Sequence, residues 1–114
     1  MLFLVELDHV RTGTPPTPEA GRVFIEQVIF PTLNRADQLA AEKKIVAGGP
    51  IAGRIALRFM VEAESAEQVD RIVTSIPLWT QAETRVTPLI TLAERRSHVK
   101  GLLSDLVRRS GGQP

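Results

Sequence analysis

Residues 54–63, RIALRFMVEA, alternate between two chemistries, and that alternation decides the fold. In an extended chain successive side chains point to opposite faces, so Ile55, Leu57, Phe59 and Val61 fall on one side and Arg54, Ala56, Arg58, Met60 and Glu62 on the other. The first face suits a dry core under helices. The second is half apolar and half charged, unsuited to a core yet too rich in apolar side chains to be left wholly to water. Such a strand belongs to a sheet covered by helices on one face and by something else on the other.

Working outward, residues 44–63 read as two strands, about Lys44 to Gly48 and Arg54 to Ala63, joined by the glycine-rich GGPIAG. That connection is no phosphate loop: it lacks the lysine and hydroxyl residue of the nucleotide motif and leads into a β pattern, not a helix. Downstream, Ser65 with Gln68 three residues later makes a capping-box pattern for a helix with Ala66, Val69, Ile72, Val73 and Ile76 as its apolar face, ended by Pro77. TRVTPLITL is a last strand, placed at a sheet edge by Pro88. Upstream, LFLVELD is a first strand with Leu2, Leu4, Glu6 and Asp8 on one face and Phe3, Val5, Leu7 and His9 on the other. RTGTPPTP is a loop, and Thr17–Pro18 reads as an N-cap with proline at the first helical position. The spacing then predicts a helix from about Pro18 to Lys44 with a buried stripe of Ile25, Val28, Ile29, Thr32, Ala36, Leu39 and Lys43, a kink at Pro31, and a second stripe of Val23, Glu26 and Phe30 on the far side.

The order β-α-β-β-α-β is the ferredoxin-like split βαβ arrangement, an α+β fold with an antiparallel sheet and both helices on one face. It occupies residues 1–92. Residues 93–114 add a tail whose Val99, Leu102, Leu103, Leu106 and Val107 recur at helical spacing. The open sheet face and this tail both lack cover, which predicts a homodimer or larger homo-oligomer, the sheets paired face to face and the tail helix resting at least partly on another subunit.

Composition narrows the function classes. At 114 residues the chain fits one domain. Its net charge of +1 provides no field to steer it to nucleic acid or a membrane surface. The late basic cluster, Arg95, Arg96, Lys100, Arg108 and Arg109, lacks interleaved aromatics and reads as a solvated helix face. The absence of cysteine removes disulfides and thiolate chemistry and fits a reducing cytoplasm, the expected location. The start MLFLVELD is not a secretory signal, because Glu6 interrupts the apolar run, and no run approaches membrane-spanning length. Two histidines without HxH or HExxH spacing predict no metal site.

RIALRFMVEAESAEQVDRIVTSIPLW followed by RVTPL, together with the opening MLFLV, resembles the muconolactone isomerase family. The family's ferredoxin-like subunits join into dimeric α/β barrels that assemble further, and its chemistry uses no cofactor, so the resemblance implies none here. In the family an LPLF-like corner turns the chain from the second helix to the last strand; SIPLW (Ser75–Trp79) matches it, with Trp79 at the aromatic position. Trp79 is read as a packing anchor or as a ring that stacks on a ligand. The family's reaction takes a proton beside a lactone carbonyl and holds the developing enolate, work associated with a carboxylate on the first helix and a tyrosine and an asparagine on the third strand. Without gaps these positions fall on Thr32, Ile55 and Leu57, and the chain has no tyrosine. Ile55 and Leu57 would line a pocket with hydrocarbon, and Glu26 is the nearest upstream carboxylate.

Among the remaining polar residues, His9 at the end of the first strand is a candidate base at a pocket mouth or a hydrogen-bonded loop histidine. Arg54 and Arg58 would bind a ligand carboxylate, or pair with Glu6, Asp8 or Glu62. No nucleophile-elbow motif surrounds any serine. Three functions stay open: a protein that binds or isomerises a small lactone or organic acid, with His9 and Glu26 as candidate catalytic groups and Arg54, Arg58, Ile55, Leu57 and Trp79 as candidate substrate contacts; a non-catalytic assembly or ligand-binding module on the same fold; or a cofactorless oxygenase or other enzyme on the same scaffold.

Overall fold

β1 (Leu2–His9) and β3 (Ala56–Glu62) form the centre of a four-stranded sheet in a computed structural model that describes residues 1–10 and 15–111. β2 (Ile45–Pro50) and β4 (Ala82–Leu89) are its edges, in the order β2-β3-β1-β4 with every pair antiparallel. The helical elements are α1 (Pro18–Phe24), a π-helical segment (Ile25–Ile29), α2 (Phe30–Ala41), α3 (Ala66–Thr74), a 3₁₀ turn (Pro77–Gln81) and α4 (Leu92–Arg109). This is the α+β, ferredoxin-like order that the alternation predicts. Residues 11–14 of the predicted loop and 112–114 of the tail lie outside the described residues.

The core lies between the sheet and the helices. Phe3, Val5 and Leu7 of β1 and Leu57, Phe59 and Val61 of β3 are buried against Leu39 of α2, Val69, Ile72 and Val73 of α3, and Ile76 and Leu78 beyond it. The caps are where the sequence puts them: Thr17 Oγ1 accepts from Ala20 N–H at 3.0 Å, and Ser65 Oγ accepts from Gln68 N–H at 3.1 Å. Each satisfies one of the free amides at a helix start.

Four expectations are corrected. Ile55 does not pack under the helices: β3 starts one residue later, Ile55 lies past the last β1–β3 pair, Asp8–Ala56, and it is 47% exposed. Ile25 and Lys43 leave the predicted buried stripe. The π turn inserts a residue ahead of α2, which turns Ile25 outward, and the helix stops at Ala41, with Lys43 at φ 62° in the reversal to β2. Pro31 gives a π segment in place of a simple kink. Finally, GGPIAG is not all connection: Gly48, Gly49 and Pro50 pair with Phe59, Arg58 and Leu57 of β3.

Gly48 shows why that stretch is glycine-rich. Its φ is +104°, and a Cβ there would lie 2.0 Å from the Arg58 carbonyl oxygen, a backbone atom that cannot swing aside. Gly48→Ala is expected to cost more than about 1 kcal/mol, a fall of ~4–8 °C or more in Tm, measured by thermal circular dichroism. Gly101→Ala, in open space within α4, leaves Tm unchanged or raises it.

Candidate functional site

The end of the helix–sheet seam is built by β1, whose alternation carries His9 onto the helix side behind Phe3, Val5 and Leu7. The His9 N–H donates to the Ile55 carbonyl at 3.0 Å, and the Val10 N–H donates to the Gln81 carbonyl at 3.0 Å, so the strand end is tied on both sides. Gln81 closes the 3₁₀ turn, and its side-chain oxygen lies 3.3 Å from His9 Nε2. The Phe24 ring packs on the imidazole with centroids 4.9 Å apart at 44°. With the Gln81 side-chain oxygen facing Nε2, the tautomer that matches this contact carries its proton on Nε2 and a lone pair on Nδ1. That atom is buried and has no hydrogen-bond partner among the described residues. Phe24 and Gln81 also form walls of a groove of about 590 Å³ that Gln27, Val28 and Thr17 continue.

The other predicted site residues are dispersed. Glu26 lies in the π segment and bonds Arg22, with Arg22 Nη1 at 2.9 Å from Oε2; it borders a different groove, on the outer side of α1, and is not brought to His9. Arg22 also pairs with Glu19, and hydrogen bonds from both carboxylates hold its guanidinium above its usual pKa. Leu57 is buried in the core, and Ile55 stands at the sheet end. Trp79 is 40% exposed, whereas its neighbour Leu78 is buried. Leu78, not Trp79, is therefore the anchor of SIPLW. Its N–H donates to Thr32 Oγ1 at 3.0 Å, a buried bond joining the corner to α2, while Ser75 Oγ accepts from Arg35 Nε at 2.9 Å. Thr32, at the position of the family's helix carboxylate, thus serves as a structural clip.

Arg54 and Arg58 lie on the open face, where both hold Asp8: Arg54 Nη2 is 2.5 Å from Oδ1, and Arg58 Nη2 is 3.2 Å from both oxygens. Arg58 also donates to the Leu57 carbonyl at 2.9 Å and lies 4.0 Å from Glu6. With Glu83 and Arg85 of β4 these groups surround a polar recess of about 310 Å³. The acids and bases already neutralise one another there, so a ligand carboxylate would have to displace Asp8. Partial burial raises the Asp8 pKa, but the hydrogen bonds and charges of Arg58 and Arg54 outweigh it, leaving the carboxyl below its ordinary 3.8. Among the described residues no three acidic, histidine or cysteine side chains are placed to hold a metal ion, and no helix is long and apolar enough to cross a membrane.

No protein-family model matches the sequence, and no curated protein is similar to it in sequence. Solved structures do match. Muconolactone isomerase superposes with a TM-score of 0.64 at 22% identity over 80% of this chain and 90% of its own. The chain has the muconolactone isomerase fold. A second match is 5-chloro-2-hydroxyhydroquinone dehydrochlorinase from Burkholderia phenoliruptrix AC1100, solved with 2,5-dihydroxybenzoquinone, with a TM-score of 0.59 at 24% identity over 82% of this chain and 98% of its own.

Sequence reasoning singled out His9 but missed its partners. Phe24 was hidden by the π turn, which shifts it toward the seam; Pro31, just after that turn, was the available signal. Gln81 had no sequence signal beyond its place after SIPLW. The Asp8 cluster generates a pH prediction. A carboxyl whose native pKa is depressed contributes stability that is complete above its unfolded value and is lost as pH falls below it. Between pH 5 and about pH 3 the wild type should therefore lose more stability than Asp8→Asn, read from urea midpoints at each pH.

Proposed function

We propose that the chain binds a small organic acid or lactone, without a cofactor, at the His9 end of the seam. The carrying observation is His9 Nδ1, a buried polar atom with no hydrogen-bond partner among the described residues. A buried acceptor left unpaired costs about 1–3 kcal/mol, and a ligand hydroxyl or protonated carboxyl offsets that cost. Entry needs only a small shift of Gln81, whose single 3.3 Å contact to the ring is long for a hydrogen bond. His9 then accepts a proton or hydrogen bond from the ligand, the Gln81 amide donates to a ligand oxygen, and Phe24 covers the apolar part. Two enzymes that share the fold act, by their names, on a lactone and on a chlorinated hydroxyhydroquinone, both small oxygen-rich molecules.

Turnover of the muconolactone type is not part of the proposal. Thr32 is committed to Leu78, Leu57 to the core, and Ile55 has only hydrocarbon to offer. One base and one amide are enough to bind and orient a ligand, yet an enolate requires several convergent donors.

The oligomer belongs to the same reading. Residues 1–92 form the unit that pairs through the open sheet face, where Leu2, Leu4 and Met60 adjoin the Asp8 cluster, to make a dimeric α/β barrel; residues 93–114 are an appended arm. Two such amphipathic faces brought together bury the apolar half and let the charged half pair across the interface. A second reading, a non-catalytic assembly module, is favoured by one observation: Val5, Leu7, Leu39, Leu57 and Leu78 fill the interior of the seam.

Titration with muconolactone and a panel of small dicarboxylic acids, followed through the His9 imidazole resonances, separates the two. Binding predicts saturable shifts in the wild type and a calorimetric binding heat that His9→Phe abolishes, with muconolactone turnover far below the ~1–10³ s⁻¹ of ordinary enzymes. A panel that leaves His9 unmoved makes the assembly module the function. Sedimentation is expected to give a mass at least double 12.5 kDa at micromolar concentration; a monomer removes the barrel.

A further inference from the structure

α4 stands away from the rest of the molecule. None of its side chains is buried, and Leu103 and Leu106 are each 61% exposed although they belong to a continuous stripe with Val99, Leu102 and Val107. The radius of gyration is 20.2 Å, against about 13 Å for a compact chain of this length, and the long axis reaches 74 Å. A helix this exposed gains little from its own propensity, and Gly101 weakens it further, so packing must supply its stability.

The same chain carries an apolar groove that none of the described residues fills. On the outer side of α1, Pro15, Pro16, Gly21, Ile25 and Phe30 enclose about 620 Å³, with Phe30 57% exposed. The π turn is what rotates Ile25 into this groove, beside Phe30 at the start of α2. Its rim bears Glu26 and, close by, Glu19, with Arg22 between them.

Geometry and charge together say what fills it. β4 ends where Leu89 pairs with Leu2, and only Ile90 and Thr91 separate it from α4. α1 follows the opposite, His9 end of β1, so a copy's own groove lies about a sheet length, roughly 24 Å, behind the point where its arm begins. The arm points away from it. α4 holds five basic and two acidic residues, net +3, which leaves nine basic and eleven acidic residues, net −2, in the rest of the chain. Pairing two α4 helices would set +3 against +3, whereas docking an arm on another copy's body sets +3 against −2 and places basic residues near Glu19 and Glu26. The stripe is aliphatic throughout and has no aromatic residue for a membrane interface.

We infer that α4 of one copy docks by its Val99–Val107 stripe in the Pro15–Phe30 groove of a second copy, an exchanged arm that joins subunits independently of the sheet-to-sheet contact and of any ligand. An isologous exchange closes as a pair; a head-to-tail one closes as a ring.

The chain has no cysteine, so single thiols report the contact cleanly. Leu103→Cys and Ile25→Cys chains, differently tagged and co-expressed, are oxidised and separated by mass, with Glu67→Cys on exposed α3 as the baseline and circular dichroism confirming that each variant folds. The arm–groove heterodisulfide is expected to exceed either homodisulfide about tenfold, because docked thiols meet at ~mM effective concentration. It should weaken as salt rises. A dominant Leu103→Cys homodisulfide, meaning arm against arm, overturns the inference. So does a cross-link found only within the chain of the double variant, or a yield no greater than the Glu67→Cys baseline. Flotation of the full chain with phosphatidylserine vesicles, abolished by Leu103→Asp, would make lipid the occupant and overturn it equally.

Discussion

Pro31 has no N–H to give the Gln27 carbonyl four residues back, and its ring would press on that oxygen, a conflict worth about 3 kcal/mol in a regular helix. The chain resolves it by widening the preceding turn into the π segment Ile25–Ile29, where the Phe30 N–H reaches the Ile25 carbonyl. One inserted residue rotates everything upstream by about 100° relative to α2. α2 keeps Thr32 and Leu39 in the core, while the rotated α1 turns Phe24 toward His9 and Ile25 outward. The two surfaces with functional interest, the His9 pocket mouth and the outer groove, therefore trace to a single missing amide. π turns often mark such places, because they offer a sequence two faces where a regular helix has one.

The sheet imposes the second constraint. With α1 to α3 all on one face, β1 and β3 carry Phe3, Val5, Leu7, Leu57, Phe59 and Val61 inward and leave a divided surface outward. Toward the His9 end that surface is an ion network around Asp8; toward the Leu2 end it is Leu4, Met60 and their neighbours. The network is part-exposed, so it adds little to stability on its own. In the proposed dimer its effect is on specificity, since a partner face must match both the charges and the apolar half.

What could be read from the sequence divides along these lines. Strands and their faces were legible because period-two alternation is dictated by local geometry, and RIALRFMVEA places Leu57, Phe59 and Val61 correctly. Helix starts at Thr17 and Ser65 were legible because a cap is a local hydrogen bond. The phase of the first helix was not, since a stripe drawn with 3.6 residues per turn runs straight through Pro31 and mistakes Ile25 for core. Ile55 misled for a related reason: alternation says which face a residue takes but not where the pairing stops. At SIPLW the largest side chain drew attention to Trp79, yet the 3₁₀ turn after Pro77 buries Leu78 and commits its amide to Thr32, a long-range contact that no local pattern encodes.

These packing choices bear on how a shared fold diverges in function. Where the family's resemblance places a carboxylate, Thr32 holds a corner; where it places a strand donor, Leu57 holds the core. Both side chains are committed to the structure, Thr32 through its bond to the Leu78 amide and Leu57 through its burial. His9 is different. It is tied through its backbone and one ring nitrogen, and among the described residues the other nitrogen has no partner, whereas the buried Thr32 hydroxyl is satisfied. A protein that needed only packing there would do better with phenylalanine, which fills the space against Phe24 and leaves no acceptor unpaired. An imidazole at that point is thus a cost to stability, and in the proposed function a bound ligand offsets it.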